Sequence, residues 1–162
     1  MRERGFSYLG VLFVVALMGA LLAMAGEVWH TQAMREREAE LLFVGDQYRR
    51  AITRYHAAGA VYPRELADLL KDPRRPDTQR YLRKLYPDPV TGKNEWGLVK
   101  SADGGIAGVH SLSEGKPFKT TGFRLQYAGF EGKEKYSDWQ FAHVPAAAAA
   151  PKGGNATGGQ AR

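Results

Sequence analysis

The side chains best suited to metal or proton chemistry in this sequence are four histidines, at positions 30, 56, 110 and 143. Zinc sites draw on ligand pairs a few residues apart, so that one helix turn or hairpin aims both at the ion; none of these histidines has such a neighbour. With no cysteine in the chain, thiolate ligands, a thiol nucleophile and a disulfide framework are excluded together. Gly104-Gly105-Ile106-Ala107-Gly108 has the small residues of a phosphate-binding loop. It lacks both the Gly-x-Gly-x-x-Gly order and a Lys-Ser/Thr ending, and strand-forming residues follow it, so it reads as a turn. Around Val109-His110-Ser111 the flanking glycines are wrongly placed for a nucleophile elbow. Calcium needs several oxygen ligands close together in a loop. Asp88, Asp103 and Asp138 stand apart, and Glu131 and Glu134 alternate with Lys133 and Lys135, which reads as solvated loop charge. No catalytic residue, metal ligand or cofactor is assigned, and the chain does not read as an enzyme.

The elements that would position such groups have a marked polarity along the chain. A length of 162 residues accommodates one modest domain and an anchor. The hydrophobic fraction is 44%, which is ordinary, but its apolar residues crowd into the first 26 positions. The net charge of +6 is spread among acidic neighbours, as in Arg35-Glu36-Arg37-Glu38. That alternation reads as a solvated helix face, so nucleic acid is not the expected partner.

From Phe6 to Gly26 no residue carries a formal charge. At a rise of about 1.5 Å per residue the segment is about 30 Å long, the thickness of a bilayer's hydrocarbon core. Arg2 and Arg4 precede it, which holds the short N-terminus in the cytoplasm and sends the rest across. A cleaved secretory signal would have a shorter apolar core and a break after it, whereas this one runs directly into helix-forming sequence. A simple single-pass anchor needs only the length and the flanking charge.

The order Arg4-Gly5-Phe6-Ser7-Tyr8-Leu9, followed by apolar residues to Ala25, resembles the signature of type IV prepilins and type II secretion pseudopilins. The resemblance implies that a prepilin peptidase cuts between Gly5 and Phe6 and methylates the new amino group of Phe6. The apolar helix would then serve first as membrane anchor and later as filament core, with Phe6, Leu9, Leu12 and Val15 as core contacts. One position departs from the family pattern: the fifth mature residue is normally Glu and here is Gly10. In the family that Glu is thought to pair with a neighbouring N-terminal amine, so the departure points to a minor or atypical subunit.

Beyond Gly26 the pattern becomes amphipathic without a helix breaker. Leu41, Val44, Tyr48, Ile52 and Tyr55 recur at three- and four-residue steps, which predicts one helix from about Phe6 to Ala57 with Gly59 as its stop. Gly19, Gly26 and Gly45 would weaken it locally. Glu36, Glu40, Arg50 and Arg54 fall on its solvent side. Pro63 can open a short helix carrying Leu66, Leu69 and Leu70, and residues 78–85 suggest another turn or two. The Tyr62-Pro63 start followed by leucines is similar to the loop after the long helix in many pseudopilins. Short β-prone runs at 96–99, 106–112, 123–127 and 139–144 predict three or four antiparallel strands, with Trp96, Phe123, Tyr127, Trp139 and Phe141 covering the helix. Asp88-Pro89-Val90-Thr91-Gly92, Trp96, Gly105–Val109, Ser111 and Asp138–Phe141 resemble proteins related to the major type II pseudopilin.

The expected fold is therefore α+β and type IV pilin-like, a long N-terminal helix packed on a small antiparallel β-sheet head. Its expected parts are a leader (1–5), a transmembrane and filament-core helix (6–26), an amphipathic helix (27–58), a head (59–144) and a disordered tail (145–162). Implied partners are the prepilin peptidase, other pilin-like subunits, an inner-membrane assembly platform and membrane lipid. The head would lie in the periplasm. Two rivals stand beside this reading: a DNA-uptake or adhesive pilin using Arg74, Arg75, Arg80, Arg83 and Lys84 against phosphate, and an unrelated single-pass membrane protein.

Overall fold

The structure, a computed structural model, describes residues 4–144, apart from the side chains of residues 4–7, 23–28 and 30. A 54-residue helix, α1 (Arg4–Ala57), is followed by strands β1 (Gly97–Lys100), β2 (Ile106–His110) and β3 (Phe141–Ala142). The fold is α+β, and its one sheet among the described residues is antiparallel in the order β1-β2-β3. The tail expected at 145–162 lies outside the described residues.

The second half of α1 carries the apolar face that its spacing predicts. Leu41, Val44, Tyr48, Ile52 and Tyr55 are all buried, with Ala51 between them, because three- and four-residue steps stack side chains on one side of a helix. Against this face lie β2 and β3. Trp96, Tyr127, Trp139 and Phe141 close the core, with Phe123 half-buried at its margin. Phe130 and Trp139 stack at 5.3 Å, and Phe141 meets Phe130 edge to face at 5.1 Å, geometries that suit the aromatic quadrupole.

Gly45, a weak point by helix propensity, has a packing reason. A Cβ there would lie 2.5 Å from three carbons of the Phe141 ring, so the missing side chain lets β3 approach the helix. The end of α1 falls at Ala57, but the left-handed residue that closes it is Ala60, with φ 53°, and not Gly59. Gly59 instead makes room for Arg74, whose Nη1 would be 2.5 Å from a Cβ at that position. The Arg74 guanidinium lies 3.7 Å from the Tyr55 ring centroid and donates to the Tyr55 carbonyl at 3.1 Å. A cation thereby satisfies the negative end of the helix.

Three expectations about the head are corrected. Residues 78–85 form no helical turn, because the backbone amides of Tyr81 and Leu82 both donate to the Leu69 carbonyl at 2.9 Å and tie the segment down as an open loop. The run at 123–127 is not a strand; Leu125–Phe130 forms two 3-10 turns joined across a kink at Tyr127, with Tyr127 and Phe130 buried. The strands are accordingly three and short, β2 ending at His110 and β3 reduced to Phe141–Ala142. The Pro63-led segment does form a 3-10 turn, at Leu66–Leu69, with Leu69 buried. Gly104 and Gly105 form the β1–β2 turn, where Gly104 takes φ 81°.

Candidate functional site

The surface whose chemistry suits contact with other molecules is α1 itself, since one helix presents two unlike halves. In the first half, the side chains from Tyr8 to Leu22 are exposed, including Leu9, Leu12 and Val15 at 67%, 47% and 60%. Gly5 and Phe6 lie on helical backbone, but their side chains are outside the described residues, as are those at 23–26, the end of the segment expected to span a membrane. Among the described residues no helix is long and apolar enough to cross a membrane. Gly10 faces open space, and a Cβ there would touch nothing within 4 Å.

The second half is clamped to the head by acidic side chains. Glu38, expected on a solvated face, is buried. Its carboxylate accepts from the backbone amides of Phe118 and Lys119 at 2.7 and 3.0 Å and from the Tyr136 hydroxyl at 2.9 Å. Burial, and then this bond, push the Tyr136 hydroxyl well above its usual pKa. The signal was present in the sequence, for Glu38 precedes Leu41 by three residues on the inward face.

Two turns on, Asp46 holds Arg49 at 2.7 Å and Arg50 at 2.6 Å and accepts from the Tyr127 hydroxyl. Burial alone would raise the Asp46 carboxyl, but Tyr127 and the two guanidinium groups outweigh it and leave it below the ordinary value. Tyr127 is pushed up to about 12, by burial first and by the Asp46 acceptor second. Further along, Tyr48 donates to the Tyr86 carbonyl at 3.0 Å and accepts from the Tyr86 amide at 2.9 Å.

Between α1 and residues 119–127 these bonds leave a groove of about 560 Å³. Leu42, Phe43, Phe123 and Tyr127 give it apolar walls, and Arg50, Lys119 and Arg124 line it with positive charge. Phe43 is 61% exposed although it sits mid-helix beside a core.

The other residues with chemical potential are occupied structurally. Asp88 is fully buried and accepts from the Val90 amide, the Thr91 hydroxyl and the Ser111 hydroxyl at 3.0, 2.9 and 2.6 Å, which closes its turn around the carboxylate. Of the proposed basic patch, Arg74 is withdrawn: it pairs with buried Asp72 at 2.8 Å and with the end of α1. Lys84 lies 5.2 Å from the Tyr86 ring centroid. Two histidines far apart in sequence, His56 and His143, bring their ring centroids to 5.1 Å. Burial, followed by the nearby His56 and Arg49, lowers the His143 pKa. Among the described residues no three His, Asp or Glu side chains are placed to hold a metal ion.

No family model, no curated protein and no solved structure matches this chain.

Proposed function

We propose that the chain is a structural subunit of a type IV pilin-like filament, a minor or atypical pseudopilin of a type II secretion or related system. In this reading a prepilin peptidase cuts after Gly5 and methylates Phe6. Residues 6–26 hold the subunit in the inner membrane with its head in the periplasm, until an assembly platform moves it into a filament. There Phe6, Leu9, Leu12 and Val15 bury one another between subunits while the heads cover the outside.

The observation that carries the reading is the division of α1. It runs without interruption from Arg4 to Ala57, yet among the described residues the buried ones begin at Glu38, and the apolar side chains from Tyr8 to Leu22 are left exposed by the single chain. Exposed apolar surface of that extent needs a cover, from lipid or from other copies. A helix that is continuous with a folded head can pass from one cover to the other without refolding.

The test is the mature N-terminus. Full-length protein co-expressed with a prepilin peptidase should lose residues 1–5 and gain one methyl group on Phe6 by mass spectrometry, and Gly5→Ala should keep its leader. Wild-type chain that retains Met1 to Gly5 under these conditions overturns the reading.

A further inference from the structure

A stripe on the solvent side of α1 has a spacing that matches itself. Trp29, Glu36, Phe43 and Arg50 follow one another at heptad steps, which keeps them on nearly one line of a helix. The buried Leu41, Tyr48 and Tyr55 follow at the same step on the inward side. The stripe divides into two unlike ends. At the lower end Trp29 is 79% exposed, beside a shallow hollow it shares with Gln32, Ala33 and Glu36. At the upper end lies the groove with Phe43, Phe123 and the cations Arg50, Lys119 and Arg124.

The ends complement each other in chemistry and in register. Trp29 to Phe43 and Glu36 to Arg50 are each separated by two heptads, about 21 Å along the axis. One displacement therefore sets an exposed indole against an apolar groove and a carboxylate against a cluster of cations, both at once. The one acid in the groove, Asp46, is already held by Arg49, Arg50 and Tyr127, so the groove favours an acidic visitor.

We infer that this groove seats a second copy of the chain, parallel and displaced by two heptads, whose Trp29 enters beside Phe43 and Phe123 and whose Glu36 meets Arg50, Lys119 and Arg124. The contact joins unlike surfaces, so a pair leaves one groove and one Trp29 unused. The inference rests on the filament reading. Copies anchored in one membrane stand level, and only copies moved along their axes can reach this register.

The absence of native cysteine makes disulfide trapping clean. Ala33 and Gln47 have the same two-heptad separation and border the two ends, so an Ala33→Cys/Gln47→Cys double variant leaves Trp29, Glu36, Phe43 and Arg50 intact. Produced as the full chain in its own host in place of the wild-type copy and exposed to mild oxidant, it should yield disulfide-linked species of two or more chains. Each single variant should remain monomeric. Adding Glu36→Arg should cut the linked fraction about fivefold, and a further Arg124→Glu should restore it. Monomer alone from the double variant, dimer from either single variant, or no effect of Glu36→Arg overturns the inference. The leader-processing assay reads out separately: linked chains that keep residues 1–5 would leave this contact standing and remove the filament reading, whereas processed chains that never link would do the reverse.

Discussion

At the scale of single residues, the head is held by a few buried groups whose partners are fixed by hydrogen bonds. Asp72 is fully buried, and the Arg74 side chain, then its backbone amide and the Tyr81 hydroxyl, hold the Asp72 carboxyl well below the usual carboxylate range. A carboxylate so depressed contributes stability above its unfolded pKa, about 3.9, and that contribution is lost as pH falls toward the folded value. His143 is also depressed, so its contribution is full above about 6.5 and declines below it as the unfolded state takes up the proton first. The melting temperature should therefore fall in two stages on acidification. In His143→Gln the upper stage should disappear, and in Asp72→Asn the lower stage should shrink while stability at neutral pH drops by about 3 kcal/mol. Gly45→Ala tests the packing at β3. Its gain in helix propensity is about 1 kcal/mol, but the Cβ meets the buried Phe141 ring at 2.5 Å, and overpacking a filled core costs about 1–3 kcal/mol. Urea denaturation should show a lower midpoint, opposite to what propensity alone predicts.

At the scale of elements, α1 positions the loop at 118–127 through its acids as well as through its apolar face. Glu38 alone satisfies two loop amides and one phenol. Glu38→Ala leaves these donors without a partner, at a cost of about 1–3 kcal/mol. Hydrogen exchange should show Phe118 and Lys119 losing protection while the β1–β2 amides keep theirs. The periodicity of α1 made its inward face legible: Leu41 to Tyr55 carries the hydrophobic signal of a helix on a core, and each residue is buried as the spacing requires. Glu38 was not legible in the same way, because an acid among Arg35, Glu36 and Arg37 carries the composition of a solvated face, and only its partners eighty and more residues later draw it in. The 123–127 run has strand composition, yet the Tyr127 hydroxyl reaches Asp46 and Tyr127 stacks on Phe130, and a 3-10 helix meets both demands where an extended strand would alternate them to opposite faces. The 78–85 loop departs from its local pattern for a related reason. Its Tyr81 and Leu82 have helical spacing to Leu85, but the bonds to Leu69 and Asp72 come from a distant segment, and tertiary bonds override a short local pattern.

At the scale of the whole molecule, the decisive property is that stability and surface exposure are assigned to different parts of one helix. Among the described residues the buried ones begin at Glu38, and the capping of α1 by Arg74 and the clamps at Glu38, Asp46 and Tyr48 all lie in its second half. The apolar first half therefore contributes no described contact to the fold of the head. A chain beginning at Thr31 and ending at Val144 should keep a single cooperative thermal transition within about 5 °C of the full protein, since a shift of that size corresponds to about 1 kcal/mol for a domain of this size. Its far-UV helical signal should fall in proportion to the residues removed. The complementary change is Leu12→Lys with Val15→Lys in the full chain. Under the proposed anchoring, each lysine opposes membrane insertion by about 3 kcal/mol at the centre of a span, so the protein should move from a carbonate-resistant membrane fraction toward the soluble one, with the head's melting transition unchanged. If the two lysines instead lower the melting of the head, the first half of α1 takes part in the fold, and its exposed apolar side chains need no second copy or bilayer to explain them.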